Sequence, residues 1–555
     1  MILVLFLVAA VLFGVAYKLY GGWQEKLYGL DNKNKTPAQE LYDGVDYVPT
    51  HPVVLLGHHF SSIAGAGPIV GPITAGSMFG WLPAYLWILI GSIFIGGVHD
   101  MGAIVGSIRH KGLSVGELIN RYISKRGKML FNAFAWFALV LVVSAFLQLA
   151  ATSFAGDPAV AFTAVLYIVV AIVFGILVYR LNVPLLWATI IVLPLVVGGI
   201  FWGNYSEWVQ SAFRLSLNTW QWILIVYIFV ASVLPVWLLL QPRDYISSWF
   251  LYFAVIIATI GILFGGSRYH VNLESFKGWY AGGDNYLWPI LFITIACGAI
   301  SGFHSLVGSG TTAKQLRYEK DAKLIGYGGM LLEGLVAVIA LITVMMAGKI
   351  LSPAPGLPAN PQYTFGVGFA KFWSLFGLPE KVGISFGMFA INTFILTSLD
   401  TATRLGRYQL QELTSGKLDK YSSTLITVLA ALLLVFMKSG QTPVWRLIWP
   451  VFGSANQLTA GLALLGITAY VIKALKKPAW FTGLPMVFMI VTTLFALVLL
   501  VKANLKGATL PLGIISIILI VLAIWLVIEG YLALARRGTK EEVQSKAQTE
   551  TQSRS

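Results

Sequence analysis

Gly57-His58-His59-Phe60-Ser61-Ser62-Ile63-Ala64-Gly65-Ala66-Gly67-Pro68-Ile69-Val70-Gly71-Pro72 lies inside an apolar segment of membrane-spanning length. Its glycines, prolines and serines favour an interrupted helix over a continuous one. In hydrocarbon, backbone that leaves the helix must be buried in protein or face a water-filled cavity. A broken span of this kind points to the binding site of a transporter. The competing reading is a tightly packed helix, because small residues four apart also serve helix contact.

A second stretch answers the first. Ser301-Gly302-Phe303-His304-Ser305-Leu306-Val307-Gly308 can be set against Ala64-Gly65-Ala66-Gly67-Pro68-Ile69-Val70-Gly71. The outer glycines coincide, and so do Leu306-Val307 and Ile69-Val70, at an offset of 302 − 65 = 237 residues. Interrupted segments at matching places in two halves are the mark of an internal-repeat transporter. Residues 65–67 and 302–305 are therefore expected to be non-helical.

The chain has 555 residues, 57% hydrophobic and 11% charged. Soluble domains carry about 25% charged residues, so this is a polytopic membrane protein. Eighteen Trp and 23 Tyr suit interfacial belts. The net charge of +15 does not imply nucleic acid, because the basic residues sit in short loops between apolar spans. The single cysteine, Cys297, excludes an internal disulfide and a cysteine-cluster metal site.

Hydropathy gives about fifteen spans. Basic residues crowd 109–128, 313–323, 404–420, 473–477 and the stretch after the last span. Fifteen alternating spans put all of these on one side, which the positive-inside rule makes cytoplasmic. The N-terminus is then outside. Under this topology 53–78 and 287–310 run in opposite directions, which implies an inverted repeat. The expected organisation is an N-terminal helix and loop (1–52), a first repeat (53–204), a two-helix insertion (205–286) and a second repeat (287–475). Two further helices (476–535) and a disordered cytoplasmic tail (536–555) complete it.

His58 to Pro72, Gly96-Gly97-Val98-His99-Asp100, Arg109-His110-Lys111-Gly112 and Thr397-Ser398-Leu399-Asp400-Thr401-Ala402-Thr403-Arg404 together resemble the carbon starvation protein A family. The resemblance runs over most of residues 1–535. It implies a bacterial or archaeal inner-membrane protein linked to uptake of pyruvate or peptides. It also implies an all-α, leucine-transporter-like core of five-plus-five inverted repeats, as in the amino acid–polyamine–organocation superfamily. Sodium-coupled members of that superfamily place hydroxyl ligands on the third helix of the second half. By that resemblance Thr397 and Ser398 are candidate coupling-ion ligands, facing a carbonyl such as that of Ala64, and oxygen donors suit a hard cation.

Charge within a membrane is costly, about 3 kcal/mol on insertion scales, so Asp100 and Glu333 are candidates for proton transfer or gating. The plainer reading pairs them with basic residues such as Arg109 or Lys314 at the interface. Asp400 is a candidate proton site, or an i,i+4 partner of Arg404. His58, His59 and His304 can titrate near neutral pH and attract an anion. With Ser62, Gly65, Gly67, Pro68, Gly302 and Ser305 they form the candidate substrate site, where half-helix N-termini would offer N–H donors. Asn392 and Gln457 read as interhelical hydrogen bonds.

The expected function is cation-coupled import of a small carboxylate or short peptide by alternating access, with sodium or a proton as coupling ion. No other cofactor and no nucleic acid is expected; the partners are the bilayer and the substrate. No Walker-type phosphate loop is present, so ATP does not drive it directly. A channel, a nutrient sensor and a membrane-embedded enzyme are the alternatives. No nucleophile–base set stands out for an enzyme, and the polar stretch after Arg537 is short for an output domain.

Overall fold

The computed structural model describes residues 1–44, 46–235, 238–353, 359–437 and 442–535. The tail expected at 536–555 lies outside the described residues. Among these residues the architecture is all-helical, with isolated bridges and no strands. Helices are numbered here in chain order, short turns aside.

Helix α1 is Ile2–Tyr28. The first broken segment is α2, Pro52–Ile63, and α3, Gly67–Phe79, bent by 48° at the break. Then come α4 (Trp81–Ile108), the short α5 (Val115–Tyr122), α6 (Lys125–Gly156), α7 (Pro158–Tyr179) and α8 (Leu185–Tyr205). Two more follow, α9 (Leu217–Val233) and α10 (Leu240–Gly265). The second broken segment is α11, Leu287–Thr294, and α12, Gly302–Gly310. After it run α13 (Lys323–Ala347), α14 (Pro361–Trp373), α15 (Glu380–Leu413), α16 (Lys420–Val435) and α17 (Val444–Leu475). The last two are α18 (Trp480–Asn504) and α19 (Leu510–Ala535).

Local sequence explains the starts. Ser124 caps α6 by accepting from Gly127 N–H, and Asp157 caps α7 ahead of Pro158. Short polar side chains satisfy the free donors of a first turn, and proline there forfeits no bond.

Main-chain bonds fix the directions. Thr50 N–H donates to Gln315 O at 3.0 Å, so the start of α2 meets the end of α12. Lys277 N–H donates to Phe79 O at 3.0 Å, and Leu287 N–H donates to Trp279 O at 2.9 Å. The end of α3 thus meets the start of α11, and the two broken segments are antiparallel.

The packing repeats across the halves. Helix α3 lies along α13, and α12 lies along α4. Both α4 and α13 carry a π-helical turn, at Ser92–Gly96 and Lys323–Gly328, offset by 323 − 92 = 231 residues. Helices α6 and α15, the third of each half, form the most extensive contact in the core. The short α5 packs on α6 and α17; the short α14 packs on α15 and α10. This is a five-plus-five inverted-repeat core. In it α10 takes the place beside α15 and α2 that α17 takes beside α6 and the second break. Helices α7 and α8 pack on each other, and α7 also packs on α10, α15 and α6. The expected insertion, 205–286, is thus not set apart in space: α9 and α10 contact the core helices directly. Hydropathy marks both hairpins alike, so it cannot tell which one stands aside.

Eleven single helices are long and apolar enough to cross a membrane among the described residues, and α2–α3 makes a twelfth. Helices α9 and α16 are shorter, and 287–310 divides into two pieces. The fifteen expected spans are therefore not fifteen full-length helices.

The second break is also displaced. Helix α11 ends at Thr294, the chain leaves the helix over 295–301, and 302–305 form the first turn of α12. Ser301 is extended (φ −140°, ψ 128°) and is the cap residue. Gly302 is a glycine for packing: a Cβ there would run into the main chain of α17 at Asn456 and Ala460. The first break falls at 64–66, with Gly67 opening α3. A Cβ on Gly67 would overlap the Cys297 side chain, so the two breaks touch. Gly67→Ala is expected to cost about 1–3 kcal/mol through overpacking. Thermal denaturation in detergent checks this, with Gly14→Ala as control, since nothing lies within 4 Å of a Cβ there.

Candidate transport site

Helix α17 holds the second break open. Asn456 Oδ1 accepts from Phe303 N–H at 3.0 Å, Trp449 Nε1 donates to Thr294 O at 3.2 Å, and Gln457 Nε2 donates to Phe292 O at 2.7 Å. These side chains satisfy backbone groups that the break frees, as buried polar groups require. The N-terminal donors of α12 are therefore partly taken by Asn456. Gln457 acts as expected. So does Asn392, which donates to Ser153 Oγ on α6 at 2.6 Å.

Between the breaks lies a narrow cavity. Its walls are Ile63 and Gly65 from the first break, Cys297 and Phe303 from the second, and Val142, Phe146, Phe452, Ser398 and Asn456 from the flanking helices. Ser398 Oγ is buried and without a partner, and a Cβ on Gly65 would lie 2.6 Å from it. The wall is mostly apolar with a few polar groups, as small-ligand sites are. A second narrow void, beside Ile69 and Phe394, is lined only by apolar residues and offers no group to orient a ligand.

Behind Cys297 sits a buried acid–base cluster. His304 Nδ1 lies 2.8 Å from Asp100 Oδ2, and His304 Nε2 lies 3.1 Å from Glu333 Oε2. His99 Nδ1 lies 2.6 Å from Asp100 Oδ1. All four side chains are at most 1% exposed. The acids come from α4 and α13, and the shared imidazole comes from α12. The interface pairing with Arg109 or Lys314 does not occur. Arg109 instead holds Glu319, with Nε 2.5 Å from Oε1. A doubly protonated imidazole can donate to Asp100, whereas among the described residues His304 Nε2 and the Glu333 oxygens have no hydrogen-bond partner of good geometry. Cys297 Sγ, His304 and Glu333 bring donor atoms within 4.8 Å of one another. These three are the residues that could hold a metal, and His304 is at the same time the partner of Asp100.

None of the three expected histidines lines the cavity. His59 Nδ1 pairs with Thr312 Oγ1 at 2.8 Å, and His58 is half-buried with its carbonyl accepting from Ser61 and Ser62. Ser305 Oγ is spent on Gly302 O. Of the expected substrate residues only Gly65 lines the cavity; Gly67, Pro68 and Gly302 shape the breaks around it. Within the expected coupling group, Ser398 faces Gly65, beside Ala64. Thr397 Oγ1 donates to Thr393 O at 2.9 Å.

Asp400 does not pair with Arg404. Arg404 donates to Ala231 O and Leu234 O, and Arg407 to Ser232 O, so both cations cap the C-terminus of α9. The partner of Asp400 is Arg243, which is 0% exposed in the first turns of α10. Arg243 Nη1 also donates to Tyr227 Oη at 2.8 Å, and Tyr227 Oη–H donates to Asp400 Oδ2 at 2.7 Å. Arg243 Nη2 lies 3.4 Å from Asp244 Oδ1. Hydropathy places this span at 246–266 and leaves Gln241-Pro242-Arg243-Asp244 outside it. The available signal was Pro242, since proline is tolerated in a first turn.

The sequence profile of Carbon starvation protein CstA matches residues 1–354 and 354–496. The chain belongs to the CstA family. A protein of Campylobacter jejuni called Peptide transporter CstA is 34% identical over 88% of this chain and 79% of its own length. One of Bacillus subtilis with the same name is 32% identical over 93% of this chain and 94% of its own. Pyruvate/proton symporter BtsT of Escherichia coli is 32% identical over 87% and 79%. Among solved structures, a mutant of the Eremococcus coleocola manganese transporter aligns at 14% identity and TM-score 0.45, covering 87% of this chain and 96% of that one. MhsT in complex with L-phenylalanine aligns at 13% identity and TM-score 0.46, covering 87% and 99%. Those two likenesses are remote, and the fold rests on the packing above. This member of the CstA family is a secondary transporter and not an enzyme.

Proposed function

We propose that the chain imports a small carboxylate such as pyruvate, or a short peptide, in symport with protons. The observation that carries this is the cavity between the two breaks, with His304 and its two acids directly behind Cys297. A buried imidazole shared by two carboxylates can bind and release a proton without a metal or a sodium shell. The Escherichia coli relative named a pyruvate/proton symporter supports the same coupling. Alternating access would rock the two halves about the breaks. Helices α9 and α10 belong to the first repeat in this reading, and α7–α8 are the addition. Proteoliposomes with an inward pH gradient should accumulate pyruvate or dipeptide, and a sodium gradient alone should not. Accumulation with sodium and none with protons would refute the coupling.

The loops at 109–128, 313–323 and 404–413 share one face with the ends of α17 and α19. Arg109 pairs with Glu319, Lys128 with Glu117 and Glu412, Lys473 Nζ donates to Tyr122 O, and Ser124 Oγ to Glu529. The concentration of positive charge there makes this the cytoplasmic face of the inner membrane. A cysteine in place of the exposed Arg126 should resist an impermeant maleimide in intact cells and react after permeabilisation. Labelling from outside would invert the topology.

A further inference from the structure

We infer that Asp244, Arg243 and Asp400 form a second proton-binding site in the core, separate from the Asp100–His304–Glu333 cluster and used in the same transport cycle. The inference rests on the proton-symport reading and adds a second carrier to it.

Charge bookkeeping comes first. Two carboxylates meet one guanidinium, and Arg243, Asp244 and Asp400 are all at least nine-tenths buried. With both acids ionised the group carries one uncompensated negative charge, which is expensive away from water. The hydrogen bonds then show where a proton would go. Asp400 Oδ2 is committed to Arg243 and to Tyr227, whereas Oδ1 is buried and has no partner. A bare buried carboxylate oxygen is costly, and a proton on it removes the surplus negative charge and makes that oxygen a donor.

Among the described residues, His58 and Arg404 are the further basic groups that act on the pair. On α15, Thr397 Oγ1 donates to Thr393 O, and Arg404 is turned to carbonyls of α9. From α2, His58 faces Asp244. From α7, Tyr167 Oη–H donates to Arg243 O at 2.6 Å. From α9 comes Tyr227. The guanidinium is permanently charged, so it supplies in place the positive charge that a sodium ion would bring to Asp400. The site is thereby built for a proton. On the outer side a proton from water adds to Asp400 Oδ1, forming the acid O–H. When the site opens inward, that O–H bond breaks and the proton returns to water.

The helices involved suit such a role. Arg243 and Asp244 ride on α10, which packs on α2 below the first break, and Asp400 lies half a turn past Ser398 at the cavity. Loss of the proton would tighten the grip of α15 on α10. Gain of the proton would loosen it and let α2 swing.

The test uses full-length protein in proteoliposomes, with the zero-flux point found under opposed pyruvate and pH gradients. Asp400→Asn should move one fewer proton per pyruvate than the parent and still show pyruvate counterflow, which proves that it folds. Asp244→Asn should show the same loss, because the pair shares one proton; either variant alone decides the matter if the other does not fold. Parental uptake should be equal in sodium and choline chloride. An unchanged proton-to-pyruvate ratio in a variant that performs counterflow would overturn the second site, as would sodium stimulation of the parent. Absence of any proton-driven uptake by the parent would instead overturn the symport reading itself.

Discussion

Arg243→Gln is expected to destabilise the protein by about 3–5 kcal/mol, because it strands two buried carboxylates without a cation. Arg243 is 0% exposed and touches Asp400, Asp244 and Tyr227 at once. Removing one member of a buried ion pair costs more than the pair contributed, since the remaining charge has lost both water and partner. The second substitution Asp400→Asn should recover much of the loss. The double variant keeps a neutral donor and a neutral amide in hydrogen-bond reach, and one carboxylate fewer remains to be compensated. Thermal denaturation of the purified single and double variants, with size-exclusion profiles, checks this. A single variant as stable as the parent would show that the guanidinium is not holding the carboxylates.

His304→Gln should reduce concentrative uptake by a factor on the order of 10² or more, with a smaller effect on counterflow. His304 is the only bridge between Asp100 and Glu333 among the described contacts, and all three side chains are buried. Glutamine keeps a donor but cannot carry a proton, so the acids face each other uncompensated. The interaction lost is roughly 3 kcal/mol, and each 1.4 kcal/mol is tenfold. Uptake by the parent should rise as external pH falls, and the variant's profile should be flatter. Measurements of initial uptake and of counterflow at several pH values separate a lost coupling step from a lost binding site. Equal loss of both at every pH would place His304 in the substrate site and not in the proton path.

Much of this was legible in the chain. The Gly-Ala-Gly-Pro run at 65–68 marked the first break because glycine and proline act through local backbone chemistry. The second break was found by likeness to the first and was therefore misplaced by several residues. Its position is set by Trp449, Asn456 and Gln457, which reach it from about 150 residues away in the sequence. Asp100 and Glu333 stood out as membrane acids, but their partner did not. That His304 lies between them follows from how α12 packs on α4, which no periodicity encodes. Arg243 was missed for a related reason. Pro242 and the charges beside it look like a loop until a buried Asp400 is seen to receive them.

Substrate is expected to bind in the cavity between the breaks, and Cys297 allows a test on the unmodified protein. It is the chain's single cysteine, and its thiol lines that cavity against Gly67. A small membrane-permeant thiosulfonate reagent should modify Cys297 during turnover and abolish uptake, and saturating substrate should slow both the modification and the loss of activity in parallel. Full modification of Cys297 with uptake intact would show that transport does not pass between the breaks.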